Sequence, residues 1–248
     1  MSNITTEQKD GVLTVRFARI EKKNALTRAM YESLCDAFKK AEDSDDVRVL
    51  VLAGQEGIFT AGNDLADFLA DPPSGEESPV FRFLRALVSF PKPLVASVDG
   101  PAIGLGTTLL LHCDAVVVTT RALLKMPFTQ LGLVPEAASS ALLPLIVGPV
   151  LARYWLLSST GISGEEAYRT GLASHITSPE DLAARTWLVA SEFASRPVLA
   201  MRESKKLMRA PFQSIVLEAL TREAAMFTER LAHPEAVAAM MSFFEKKK

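Results

Sequence analysis

Cysteine and histidine are scarce in this chain, and their scarcity removes whole classes of chemistry. The two cysteines, Cys35 and Cys113, form no CxxC pair. A reducing compartment is the better expectation. The three histidines, His112, His175 and His233, have no HxxxH spacing, so no metal site is expected. No Gly-Lys-Ser/Thr follows any glycine run and no GxSxG is present, which argues against a P-loop and a serine nucleophile elbow. Excess positive charge is missing as well. The formal charge of −2 and pI near 6.0 give no global reason to bind nucleic acid or an anionic membrane. The first residues, MSNITTEQKDG, lack the basic start and apolar stretch of a secretory signal. The apolar region Ala137 to Ser159 is broken by Pro144, Pro149 and Arg153, so it reads as two helices rather than a membrane span. The chain ends in Lys246-Lys247-Lys248 and not in a Ser-Lys-Leu address. A cytoplasmic location is the expectation.

What is present is ordinary globular material, 48% hydrophobic and 23% charged over 248 residues, enough to bury a proper core. Ile4 to Glu7 and Val12 to Phe17 flank an Asp10-Gly11 turn signal and predict a hairpin. Thr27 is placed to cap a helix to about Asp43, with Met30, Leu34, Ala37, Phe38 and Ala41 at helical spacing. Val47 to Ala53, Leu94 to Val98 and Asp114 to Thr120 read as buried strands, with a helix from Val80 to Phe90 between the first two. Asp71 to Pro79 is polar and proline-rich, a loop of the kind that serves as a lid or binding segment. Helices are predicted over Asp181 to Ala194, Val198 to Arg209, Phe212 to Leu231 and Glu235 to Lys246. The alternation of strands and helices indicates an α/β class. The shift to helix alone suggests a core over residues 1–178 and a helical region over 179–248.

Three segments carry candidate chemistry. Phe59-Thr-Ala-Gly-Asn-Asp-Leu65 follows a strand. Its small residues let backbone N–H groups face a ligand, or they form a tight turn in which Asp64 caps the next helix. Ile103-Gly-Leu-Gly-Thr-Thr108 opens a helix whose first N–H groups suit a developing negative charge, or its glycines serve close packing. It lacks the third glycine of a dinucleotide site. Met126 to Ser140 places one acid, Glu136, directly after Pro135 in apolar surroundings. That pattern suits a helix start, and it equally suits a buried acid of raised pKa. Lys22 and Lys23 after the hairpin are solvated surface or a phosphate contact.

Taken in order, Lys22-Lys-Asn-Ala-Leu26, Phe59 to Leu65, Pro91-Lys-Pro93, Asp99-Gly-Pro-Ala-Ile-Gly-Leu-Gly106, Cys113-Asp114, Leu131-Gly-Leu133 and Ile162 to Leu172 resemble the crotonase (enoyl-CoA hydratase/isomerase) superfamily over nearly the whole chain. The resemblance implies a superhelix of ββα units, C-terminal helices that assemble a homotrimer or a dimer of trimers, and an acyl-CoA ligand. It implies an oxyanion hole from the backbone N–H groups of Asn63 and Leu105. Lys22, Ala25, Ala61, Asp64 and Leu65 would lie along the CoA path, with Phe128 against the acyl group. The two glutamates of typical hydratases fall at Thr108 and Phe128 here. Glu136 instead matches the acid of 3-enoyl-CoA isomerases of peroxisomal type, in a pattern similar to Leu-Gly-x-x-Pro-Glu-x-x-Ser-Ser. The expected activity is conversion of 3-enoyl-CoA to trans-2-enoyl-CoA by this one carboxylate. It would run in a dry pocket lined by Phe128, Leu133 and Val134, without metal or separate cofactor. A hydratase, a hydrolase or dehalogenase with Glu136 as nucleophile, and a non-catalytic acyl-CoA-binding protein are the alternatives.

Overall fold

The computed structural model describes residues 3–245 apart from 56, 74 and 76, and side chains as far as residue 242. β1 (Ile4–Lys9) and β2 (Val12–Phe17) pair antiparallel. Asp10 and Gly11 between them take φ of 46° and 81°, the two left-handed residues that a type I′ turn needs. α1 (Arg28–Asp43) starts where the Thr27 hydroxyl accepts the Met30 N–H, and it buries Tyr31 as well as the five apolar residues at helical spacing. β3 (Val49–Ala53), α2 (Leu65–Ala70), α3 (Pro79–Ser89) and β4 (Leu94–Val98) follow. Next come β5 (Pro101–Ile103), the one-turn helix α4 (Leu105–Thr108), β6 (Ala115–Thr119) and β7 (Leu123–Lys125). The remainder is α5 (Ser139–Val147), α6 (Pro149–Ser158), β8 (Ile162–Ser163), α7 (Gly164–Arg169), β9 (His175–Thr177), α8 (Leu182–Ala194), α9 (Val198–Arg209), α10 (Gln213–Leu231) and α11 (Pro234–Glu245).

The main sheet has the order β1-β2-β3-β4-β6-β9 and is parallel beyond its first pair. β3, β4 and β6 are buried along their whole length, as parallel strands covered on both faces must be. One face carries α1 and α3 in the main core; the other packs Val12, Val49, Val51, Val95 and Val117 against Val189, Ala190 and Ala194 of α8. A second sheet, β5-β7-β8, was not visible in the sequence. Its strands have two or three residues, too few to show a period.

The boundary expected after residue 178 does not separate α8 from the core, because α8 is the second cover of the sheet. The change falls after it. α9 is fastened by Lys205, whose Nζ donates to Asp114 Oδ2 at 2.5 Å and to the Lys92 carbonyl at 2.6 Å. Arg209 adds bonds to the carbonyls of Val88, Phe90 and His112. Helix α10 then returns across α5, and that return brings it to the site.

Candidate active site

Two backbone turns are laced together at the junction of the sheets. Phe59 and Thr60 donate their N–H groups to the Pro101 carbonyl, and Ile103 N–H donates to the Thr60 carbonyl. The approach is tight enough to require glycine. A Cβ on Gly62, at φ 80°, would lie 2.5 Å from the Ile103 oxygen, and one on Gly106 would lie 2.6 Å from Thr60 Cγ2. Neither atom can give way without moving one turn off the other. Asn63 follows Gly62, and Leu105 begins α4. Among the described residues, neither the Asn63 N–H nor the Leu105 N–H has a hydrogen-bond acceptor. At Leu105 that follows from helix geometry, since the first N–H groups of a helix have no partner within it.

The first turn is braced from beneath by residues that motif reading did not single out for it. Asn24 is buried with φ 56°, and its amide donates to the carbonyls of Ile58 and Phe59. Arg19 donates to the Ala25 carbonyl at 3.0 Å and to Asp64 Oδ2 at 2.7 Å. Asp64 Oδ1 accepts from the N–H groups of Ala66 and Asp67. Both oxygens of Asp64 are thus engaged in capping and pairing. Burial alone would raise this carboxyl, but Arg19 and the cap bonds hold it below its usual range.

Glu136 is only 6% exposed. It does not occupy the first turn of a helix, as its proline neighbour suggested, because α5 begins three residues later at Ser139. Ala137 and Ala138 intervene in the left-handed region, with φ of 58° and 56°, a conformation that costs an alanine about 1–2 kcal/mol. The surroundings enforce it. Ser139 donates its N–H and its hydroxyl to the Glu136 carbonyl, at 3.1 and 2.6 Å. His112, pushed down to about 4 by burial and hence neutral, donates Nε2–H to the Ala137 carbonyl at 2.7 Å. The kink turns the Glu136 side chain inward, where Thr108 Oγ1 donates to its Oε1 at 3.3 Å. Burial, and then the negative charge of Glu223, raise the Glu136 carboxyl from 4.5 to about 8; the Thr108 bond opposes them. Tyr31 lies close enough that burial and then the Glu136 charge raise its phenol, and its hydroxyl donates to Asn63 Oδ1.

Glu136 and Ala137 line a narrow recess. The other walls are Phe68 of α2, Pro73, Val80, Phe81 and Leu84 of α3, and Leu220, Ala224 and Phe227 of α10. The expected lining of Phe128, Leu133 and Val134 is therefore corrected: Phe128 and Leu133 are buried in the core, and none of the three faces the recess. Pro73 belongs to the loop anticipated between Asp71 and Pro79, of which residues 74 and 76 lie outside the described residues. Of the other anticipated contacts, Lys22 is exposed on a single 3-10 turn, while Ala25, Ala61 and Leu65 are half-buried near the Asn63 turn. The site thus unites Asn63, Leu105, Thr108 and Glu136 from three separate stretches of chain.

The pattern of the enoyl-CoA hydratase/isomerase family matches residues 7–248. The chain belongs to that family. The solved structure of Pseudomonas aeruginosa OdaA superposes with a TM-score of 0.95 at 44% identity, covering 98% of this chain and 99% of that one. The fold is therefore the crotonase-like one that the sequence motifs resembled. Enoyl-CoA delta isomerase 2 of Rattus norvegicus is 33% identical over 250 residues, 98% of this chain and 64% of that protein. The chain thus spans a little under two thirds of this relative. The peroxisomal enoyl-CoA delta isomerase 3 of Mus musculus is 31% identical over 253 residues, 99% of this chain and 79% of its own length. These two relatives are named for isomerisation; another, from Mycobacterium bovis and 32% identical over 242 residues, is named a probable enoyl-CoA hydratase.

Proposed function

We propose that this protein is an acyl-CoA isomerase that moves the double bond of a 3-enoyl-CoA to the trans-2 position. The observation that carries the reading is a buried Glu136 on the wall of an apolar recess, bonded to the same short helix that presents the free Leu105 N–H. A hydratase must place water and deliver a proton to carbon, work for two carboxylates. Here threonine and phenylalanine stand at 108 and 128, and the recess is lined by apolar side chains.

The thioester oxygen would accept from the N–H groups of Asn63 and Leu105. Glu136, as carboxylate, would take a proton from C2, and the electron pair of that C–H bond would spread through the double bond and onto the thioester oxygen. Each backbone donor aimed at such an oxyanion contributes about 3 kcal/mol. The protonated Glu136 would then return the same proton to C4 while the double bond settles between C2 and C3. No atom is gained or lost, and the step uses no cofactor; CoA arrives as part of the thioester. Along the CoA path we place Lys22, Ala25, Ala61 and Leu65. Asp64 would act there through its grip on Arg19 and α2, and Phe128 as packing behind the site. The exposed apolar residues of α6, α9 and α10, Val150, Leu157, Leu199, Leu207 and Ile215 among them, fit a homotrimer through the helical region.

The direct test supplies purified protein with 3-hexenoyl-CoA and trans-2-hexenoyl-CoA separately. Growth of the conjugated thioester absorbance from the first, with no hydration of the second, is expected. Rapid hydration of the second with no conjugation of the first would overturn the reading.

A further inference from the structure

A second buried acid lies 87 residues beyond Glu136 in the chain, on α10, and takes no part in the chemistry just described. Glu223 of α10 is 5% exposed. Its Oε1 accepts the Ser140 N–H at 2.9 Å, one of the free N–H groups at the start of α5, where a carboxylate is favoured. Its Oε2 is buried with no partner among the described residues. A carboxylate oxygen left bare is costly, and no packing need explains a glutamate here when a glutamine would make the same bond to Ser140. α10 is also the helix whose Leu220, Ala224 and Phe227 wall the recess.

We propose that Glu223 is a positioning residue for Glu136: it clamps the start of α5 behind the kinked Ala137-Ala138 segment and sets a second negative charge beside the base. The inference rests on Glu136 being the base. The carboxylate that meets substrate then belongs to a pair, and the charge of its distant partner keeps it a strong proton acceptor. The groups facing the pair are few. Thr108 on α4 donates to Glu136 and pulls it down, while burial and Glu223 push it up. Tyr31 on α1 is buried beside Glu136, with Asp67 of α2 acting on that phenol. His112 is held neutral against the Ala137 carbonyl. Glu223 itself is raised by burial and lowered by its bonds to the Ser140 region and by Arg222. Two acids that interact this way titrate as a unit.

The test reads the carboxyls directly. Carbon-13 labelling of the glutamate side chains, with Glu136→Gln and Glu223→Gln for assignment, follows both groups by NMR across the pH range. In Glu223→Gln, which keeps an acceptor for Ser140 N–H, the Glu136 midpoint is expected to fall by about one pH unit or more. The acid limb of kcat/KM for 3-hexenoyl-CoA is expected to move with it. Should Glu223→Gln fold poorly, Glu223→Met removes the same charge, and the same fall in the Glu136 midpoint is expected. A Glu136 midpoint unmoved by the loss of the Glu223 charge overturns the proposal. If the midpoints move but the wild-type protein leaves 3-hexenoyl-CoA unchanged, the isomerase reading fails while the carboxylate pair stands.

Discussion

Thr108 Oγ1 donates to Glu136 Oε1 across 3.3 Å, and three residues before Thr108, at the head of the same one-turn helix, is the free N–H of Leu105. One short helix therefore touches the candidate base with its last residue and offers an oxyanion donor with its first. Replacing Thr108 by valine keeps the shape and removes the bond. Since that bond favours the ionised acid, the acid limb of the pH–rate profile is expected to move to higher pH. Turnover near pH 7 should fall about three- to tenfold, with little change at high pH. A limb that moves to lower pH contradicts this arrangement.

Glu136→Gln tests the base itself. Loss of about 10²–10⁴ in kcat is expected, with CoA-thioester binding retained in calorimetry because the backbone donors are untouched. Wild-type turnover in the glutamine variant would remove Glu136 from the chemistry.

The same residue sets a pH dependence whose sign is determined. Glu136 must be ionised to take a proton and is raised to about 8, so kcat/KM should climb from about pH 6, reach half its limit near pH 8 and level off above about pH 9. A stopped-flow or absorbance profile on 3-hexenoyl-CoA checks it; a rate that falls over that window contradicts it.

Stability runs the other way. The folded chain holds a proton that the unfolded chain releases near 4.5, so this group's contribution is fully present below 4.5 and is lost as pH rises toward 8. Glu136→Gln should therefore raise the unfolding free energy above pH 8, by on the order of 5 kcal/mol, and make little difference below about pH 4. Thermal melts of both proteins across pH would show the gap opening, and a constant gap would be inconsistent with a buried titrating acid.

Gly62→Ala tests the lacing of the two turns. A Cβ would meet the Ile103 oxygen at 2.5 Å on a residue held at φ 80°, so a loss of roughly 2 kcal/mol or more is expected. Activity should fall even in samples that remain folded, because Asn63 moves relative to Leu105. Full activity with an unchanged melting temperature would show that the approach is not needed.

Local chemistry made much of this protein legible. Asp10-Gly11 specified the hairpin turn, Thr27 the start of α1, and the valine-rich runs the buried strands, because each depends on neighbours a few residues away. The motif order disclosed the family, and Glu136 stood out because few acids lie in apolar sequence. Position and environment were a different matter. Pro135 suggested that Glu136 opens a helix, yet His112 and Ser139 hold it in a kink before one. The recess was assigned to neighbours in sequence, whereas α2, α3 and α10 build it. Above all, Glu136 is alone in the sequence and paired in the fold. A pKa depends on burial and on nearby charges, and only the return of α10 across α5 brings Glu223 near enough to act on Glu136.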